Sequence, residues 1–187
     1  MNVAEIIAKL RSQNDTTRSF DGNYQRPQPL PEAALADLRL PSGEPLPRDL
    51  ATWLTYDGAW LGLIREGALA ATPMRSWLTD LLSYLIENGD DEVDELREWI
   101  ADDMGLDSPD AVSNDQVISW WIEQLPSPEL ADAFLIRLPS GDQDNLLMLE
   151  PGRNELRVLG FHKFIEFWWK YESFSSYLAH WFRFVER

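Results

Sequence analysis

Cysteine is absent from the 187 residues, histidine occurs twice, and between Asp80 and Glu150 the only basic residues are Arg97 and Arg137. Each shortage excludes something. Without thiols there is no disulfide scaffold, no thiolate zinc site and no cysteine nucleophile. His162 and His180 would stand about 27 Å apart along a continuous helix, too far to share a metal ion. A structural or surface role is expected for both. No stretch reaches the roughly 18 apolar residues needed to cross a bilayer. Near the N-terminus, Glu5, Lys9 and Arg11 interrupt Val3, Ile6, Ile7 and Leu10, so the unbroken apolar run of a secretory signal is missing. A cytoplasmic protein without a membrane partner is the expectation.

Catalytic and cofactor motifs are also wanting. There is no Gly-rich phosphate loop, no nucleophile elbow and no His-Glu zinc helix. Asp142-Gln143-Asp144-Asn145 has a passing likeness to a calcium loop, but Leu147 stands where the sixth-position Gly belongs and Arg153 where the twelfth-position Glu belongs. Asp90-Asp91-Glu92 is more simply a helix start, where carboxylates favour the dipole. No catalytic residue, metal ligand or cofactor is assigned, and a binding protein rather than an enzyme is expected.

What the chain has is negative charge, and in one place. It carries 32 Asp and Glu against 16 Lys and Arg, a net charge of −16. From Asp80 to Glu150 there are 19 acids and two Arg, a net of −17, while the remaining 13 acids and 14 bases leave the flanks at +1. Acids this dense repel one another unless they are solvated or meet something basic. They are either a solubilising surface or a docking face for a strongly basic protein, since complementary potentials steer association. Phosphate backbones would be repelled, so nucleic acid is not an expected partner. Hydrophobic content of 44% with nine Trp excludes a disordered polyanion. The length suits one domain with a real core.

Periodicity organises the chain. Residues 1–31 read as an N-terminal helix and an irregular connector rich in turn residues and Pro. A second helix is expected from about Glu32 to Leu38, and a third from Pro47, with Leu50, Trp53 and Leu54 on one face and Asp57-Gly58 as its stop. A short strand is read at Trp60–Ile64. Residues 65–132 form an acidic helical insertion. Its first helix carries Met74, Trp77, Leu78, Leu81, Leu82, Leu85 and Ile86. Its second turns Val93, Leu96, Trp99 and Ile100 inward and leaves Asp91, Glu92, Asp94, Glu95, Glu98 and Asp102 to solvent. Its third starts near Ser113 and buries Val117, Trp120 or Trp121, and Leu125. Ala133–Leu138, Leu146–Leu149 and Leu156–Gly160, separated by Pro-Gly and Asn turns, read as an antiparallel meander. Phe164, Phe167, Trp168 and Tyr171 fit an amphipathic helix, and Ser173 caps a second one with Phe174, Tyr177, Leu178 and Trp181. The fold class is α+β, with an antiparallel or mixed sheet of about four to six strands packed by N- and C-terminal helices.

Ala34 to Leu38, followed by Leu46-Pro47-Arg48-Asp49-Leu50-Ala51-Thr52-Trp53-Leu54-Thr55-Tyr56-Asp57-Gly58, resembles the opening of SUKH-superfamily (SMI/KNR-type) proteins. Gly141-Asp142, Leu146–Leu149, Glu150 and Leu156–Gly160 are similar to that family's sheet, and Phe164–Trp169 to its terminal helix. The likeness covers roughly residues 30–64 and 133–182 and departs in the acidic middle. It implies a non-enzymatic α+β domain over residues 1–187, used most often as an immunity protein against a polymorphic toxin, commonly a nuclease. The superfamily's regulatory interaction modules are the alternative. A nuclease holds phosphates on a basic face, and an acidic inhibitor surface complements it.

The contacts expected with such a toxin domain are Asp91, Glu92, Asp94, Glu95, Glu98, Asp102 and Asp103. At helical spacing Trp77, Trp99 and Trp168 read as core rather than as sugar-stacking platforms. In the adjacent pairs Trp120-Trp121 and Trp168-Trp169 both rings cannot face one core. Trp121 is therefore taken as an exposed aromatic anchor beside the acids.

Overall fold

The computed structural model describes residues 1–18, 24–88, 91–138, 144–150, 152–153, 155–162 and 166–184. It is α+β, built on a five-stranded antiparallel sheet. The chain opens with α1 (Val3–Gln13), set by a reciprocal cap. The Asn2 side chain accepts the Glu5 N–H at 3.0 Å, and the Glu5 carboxylate accepts the Asn2 N–H at 2.8 Å. Two-residue strands β1 (Thr17–Arg18) and β2 (Tyr24–Gln25) pair in the connector, and α2 (Glu32–Asp37) follows. Helix α3 (Arg48–Leu54) starts after Pro47 and buries Leu50, Trp53 and Leu54.

Past α3 the chain is stitched to the connector by a buried carboxylate. Asp57 accepts the Thr17 hydroxyl at 2.6 Å and the Gln28 N–H at 3.2 Å, and the N–H groups of Ala59 and Trp60 also reach it. Burial pushes its carboxyl up from the ordinary value, with these hydrogen bonds opposing. Gly58 lies so close to Leu30 that an added Cβ would meet the Leu30 Cβ at 2.8 Å. The expected strand at Trp60–Ile64 is instead one 3-10 turn, Trp60–Gly62, leading into a hairpin of β3 (Ile64–Arg65) and β4 (Ala68–Leu69). Trp60 and Leu63, three apart, both enter the same core, which a period of two does not allow.

Strand β5 (Thr72–Pro73) leads directly into α4 (Met74–Glu87), and α5 (Asp91–Met104) and α6 (Asn114–Glu123) complete the acidic layer. Ser113 and Gln116 form a second reciprocal cap at the start of α6. The meander then appears as β6 (Phe134–Leu138), β7 (Asp144–Leu149) and β8 (Val158–His162). Its first expected turn, including Gly141-Asp142, lies outside the described residues.

The aromatic run after it is not a helix. Glu166–Tyr171 forms β9, the last strand in the order β5-β6-β7-β8-β9. Phe167 and Trp169 face one side, while Trp168 lies across Gly160, where an added Cβ would sit 2.6 Å from the ring. Aromatic residues on both faces of a strand also satisfy the i, i+3, i+4 rule, which is why the helical reading fitted. Phe164 lies outside the described residues. A register shift opposite Val158 and Leu159 puts a bulge in β9 at Lys170. His162 therefore ends a strand while His180 sits in α7 (Phe174–Trp181), a helix capped by Ser173 as expected.

One sheet serves two cores. Ile136, Leu138, Leu147, Leu149 and Val158 point to the layer of α1, α3 and α7, and Leu135, Leu146, Met148, Leu159 and Phe161 point to the layer of α4–α6. The strict alternation explains why these strands read as unbroken apolar runs. Both faces are covered.

Candidate functional site

The acidic layer's outer face is organised by α5. Its buried side is Val93, Leu96, Ile100 and Ala101. At about 100° per residue, Asp91, Glu95, Glu98 and Asp102 then fall within one narrow stripe on the opposite side, roughly 16 Å long. Asp94 and Asp103 widen it, and all six are exposed. Glu92 belongs to the same helix, but its side chain is outside the described set.

No described residue neutralises the stripe. Among the described residues none of the six acids forms an ion pair; the ion pairs found there join Glu150 to Arg153 and Arg157, near the sheet. Arg97 lies on the far side of α5 and donates to the Asn114 side chain at 2.8 Å, fixing α5 to the start of α6. Asp102 and Asp103 sit in the last helical turn with no basic residue there, facing the negative end of the dipole. Like charges at i, i+4 add about 0.2–0.5 kcal/mol of repulsion per pair. Asp91/Glu95, Asp94/Glu98 and Glu98/Asp102 are three such pairs. The stripe is a place where the fold tolerates repulsion.

Two corrections concern the aromatic residues. Trp121, expected as the exposed anchor, is fully buried: it follows Val117 by four residues and points into the same core. Its neighbour Trp120 is half-buried. Trp99, expected inward, is 47% exposed. It lies about 100° round the helix from Ile100, yet only about 40° from Glu95 and Asp103 and 60° from Asp102. Counting angles instead of intervals would have found it. An indole bordered by carboxylates thus exists in the layer, at position 99. Met104, 51% exposed, ends the same helix, and Tyr84 and Ile86 are exposed on α4. In the other adjacent pair both rings are engaged. Trp168 covers Gly160, and the Arg157 guanidinium stacks 3.4 Å from the Trp169 ring centre.

The acids run along a helix, so they do not converge, and among the described residues no three His, Asp or Glu side chains group as a metal site. His180 packs against the Tyr171 ring at 5.5 Å. Among the described residues no helix is long and apolar enough to cross a membrane. No protein-family model matches the chain, no curated protein matches its sequence, and no solved structure matches its fold.

Proposed function

We propose that this chain is an immunity protein that neutralises a strongly basic polymorphic toxin domain, a nuclease being the expected class, by covering its active site with the acidic layer. The observation that carries the reading is the unpaired stripe on α5 with Trp99 exposed at its margin. Carboxylates without partners accelerate encounter with a basic surface. An indole among them supplies what charge alone lacks, a large apolar face that a Lys or Arg can also stack on. The resemblance of Leu46 to Gly58 to the opening of SUKH-superfamily sequences supports the same reading.

The test is association with a basic nuclease toxin domain, sought first among the gene's neighbours, at low and moderate salt. Glu95→Lys, Glu98→Lys and Asp102→Lys together should slow the on-rate at least about tenfold at low salt. The deficit should shrink as screening approaches a Debye length of about 10 Å at 0.1 M. Trp99→Ala should act mainly on the off-rate, costing about 2 kcal/mol or more of affinity. An on-rate that ignores salt in both proteins defeats the proposal. Binding to a basic partner that is harmless when produced alone would favour the regulatory module.

A further inference from the structure

A cavity of about 410 Å³ opens in the layer opposite the acidic helices, where α1 and α7 both end. That volume is within the usual range of small-molecule sites. Its apolar wall is Leu10, Trp181 and Phe182, and its polar rim is Gln13, Asn14 and Thr16, with Arg183 completing it. Among the described residues that line it there is no carboxylate, in a chain with 32 of them. The nearest acid in sequence, Asp15, accepts the Tyr56 hydroxyl at 3.2 Å. A second cation stands close by: Lys9 lies 5.1 Å from the ring centre of Phe184, the residue after Arg183.

The backbone here is strained in a patterned way. Both helices close alike, the Asp15 N–H donating to the Leu10 carbonyl at 3.0 Å and the Phe184 N–H to the Ala179 carbonyl at 2.8 Å. The first closure puts two residues in the left-handed region, Asn14 at φ 138° and Asp15 at φ 52°, and the second puts one there, Arg183 at φ 59°. Glycine is the residue that does this without strain. None of the three is glycine; Asn14 and Arg183 line the cavity, while Asp15 accepts from Tyr56. Strain held at a cavity rim is a reason to look for a ligand. The negative ends of two helices would oppose an anion, but the capping N–H groups engage their last carbonyls and Arg183 brings a full charge.

We propose that this cavity binds a small organic anion with a flat apolar body, an aryl or indolyl carboxylate. Its ring lies against Leu10, Trp181 and Phe182, and its carboxylate meets the Arg183 guanidinium. The amides of Gln13 and Asn14 are placed to add hydrogen bonds. This site lies on the other face of the sheet from the docking stripe and does not depend on that reading.

The experiment is an NMR titration of the full chain with indole-3-acetate, and with indole-3-acetamide as its neutral twin. Amide shifts should be confined to residues 10–16 and 181–184. The carboxylate should bind at least about tenfold more tightly, as expected for one charge-assisted contact. Arg183→Gly removes the guanidinium and the strain together, so this variant should unfold at higher temperature yet bind both probes alike. Arg183→Lys, which keeps a charge, should retain part of the preference. Three results overturn the proposal: no saturable shift with indole-3-acetate, equal affinity of the two probes for the wild-type chain, or shifts centred elsewhere.

Discussion

The sheet's two faces are covered by layers that use their aromatic residues oppositely. In the α1–α3–α7 layer the rings face inward and touch one another: Trp53 meets Trp60 at 4.8 Å, Phe182 at 5.7 Å and Phe174 at 6.4 Å. The Trp53 N–H finds no acceptor among the described residues, so shape alone holds that ring. The α4–α6 layer also buries large rings, Trp77 and Trp121, but leaves Trp99 and Tyr84 in water among unpaired acids. One layer is finished as a core. The other is finished on the inside only, and its outside carries like-charge pairs together with the exposed Tyr84, Ile86, Trp99 and Met104, whereas among the described residues the large exposed apolar side chain beside α1 is Met1.

The sharpest way to break the comparison is to delete one Trp from each layer. Trp53→Ala should cost about 3–5 kcal/mol in urea unfolding, since it empties the centre of a ring cluster. Trp99→Ala should cost less than about 0.5 kcal/mol, as for an exposed position. Similar losses would show that the layers do not differ as described. The buried Asp57 comes next. Asp57→Ala should cost about 2–3 kcal/mol by leaving the Thr17 hydroxyl and the Gln28 N–H without an acceptor.

The sign of its pH effect is fixed by the raised pKa. A carboxyl that is harder to ionise when folded stabilises most below its unfolded value, near 3.8, and loses that contribution as pH rises through the folded value. Relative to Asp57→Asn, the wild-type chain should therefore lose stability as pH climbs from about 4. An unchanging difference would mean that Asp57 titrates alike in both states. The smallest effect belongs to the acidic layer. Asp102→Lys should stabilise by about 0.3–1 kcal/mol at low salt, relieving repulsion and matching the dipole, and the gain should fade with salt.

Sequence periodicity made most of this architecture legible. The inward faces of α1 and α3 and all of α4's apolar set but the exposed Ile86 follow from intervals of three to four, and the strands β6 to β8 follow from short apolar runs between turn residues. Trp53 and Trp77 are buried as expected, and the reading failed at other aromatic residues. In β9 they occupy both strand faces, and in α5 and α6 the ring that is large enough to matter sits on the boundary between faces. There a difference of 100° decides between core and water. The acid stripe was visible because charge needs no orientation to be counted. The indole that accompanies it was missed because an interval of three to four residues does not separate a position beside the buried face from one within it.

The ends of the sheet bear on how this molecule avoids the wrong kind of company. A bare strand edge offers unpaired N–H and C=O groups to any extended chain and is a common start for aggregation. Here one edge is β5, two residues long and ending in Pro73, which has no N–H to give. The other is β9, whose aromatic sequence would be hazardous if flat, but the bulge at Lys170 twists it and puts a half-buried cation in the strand. Both ends resist growth by strand addition. A stickier surface can then be carried safely on the helices, where contact requires a partner of matching shape and charge rather than any stretch of unfolded backbone.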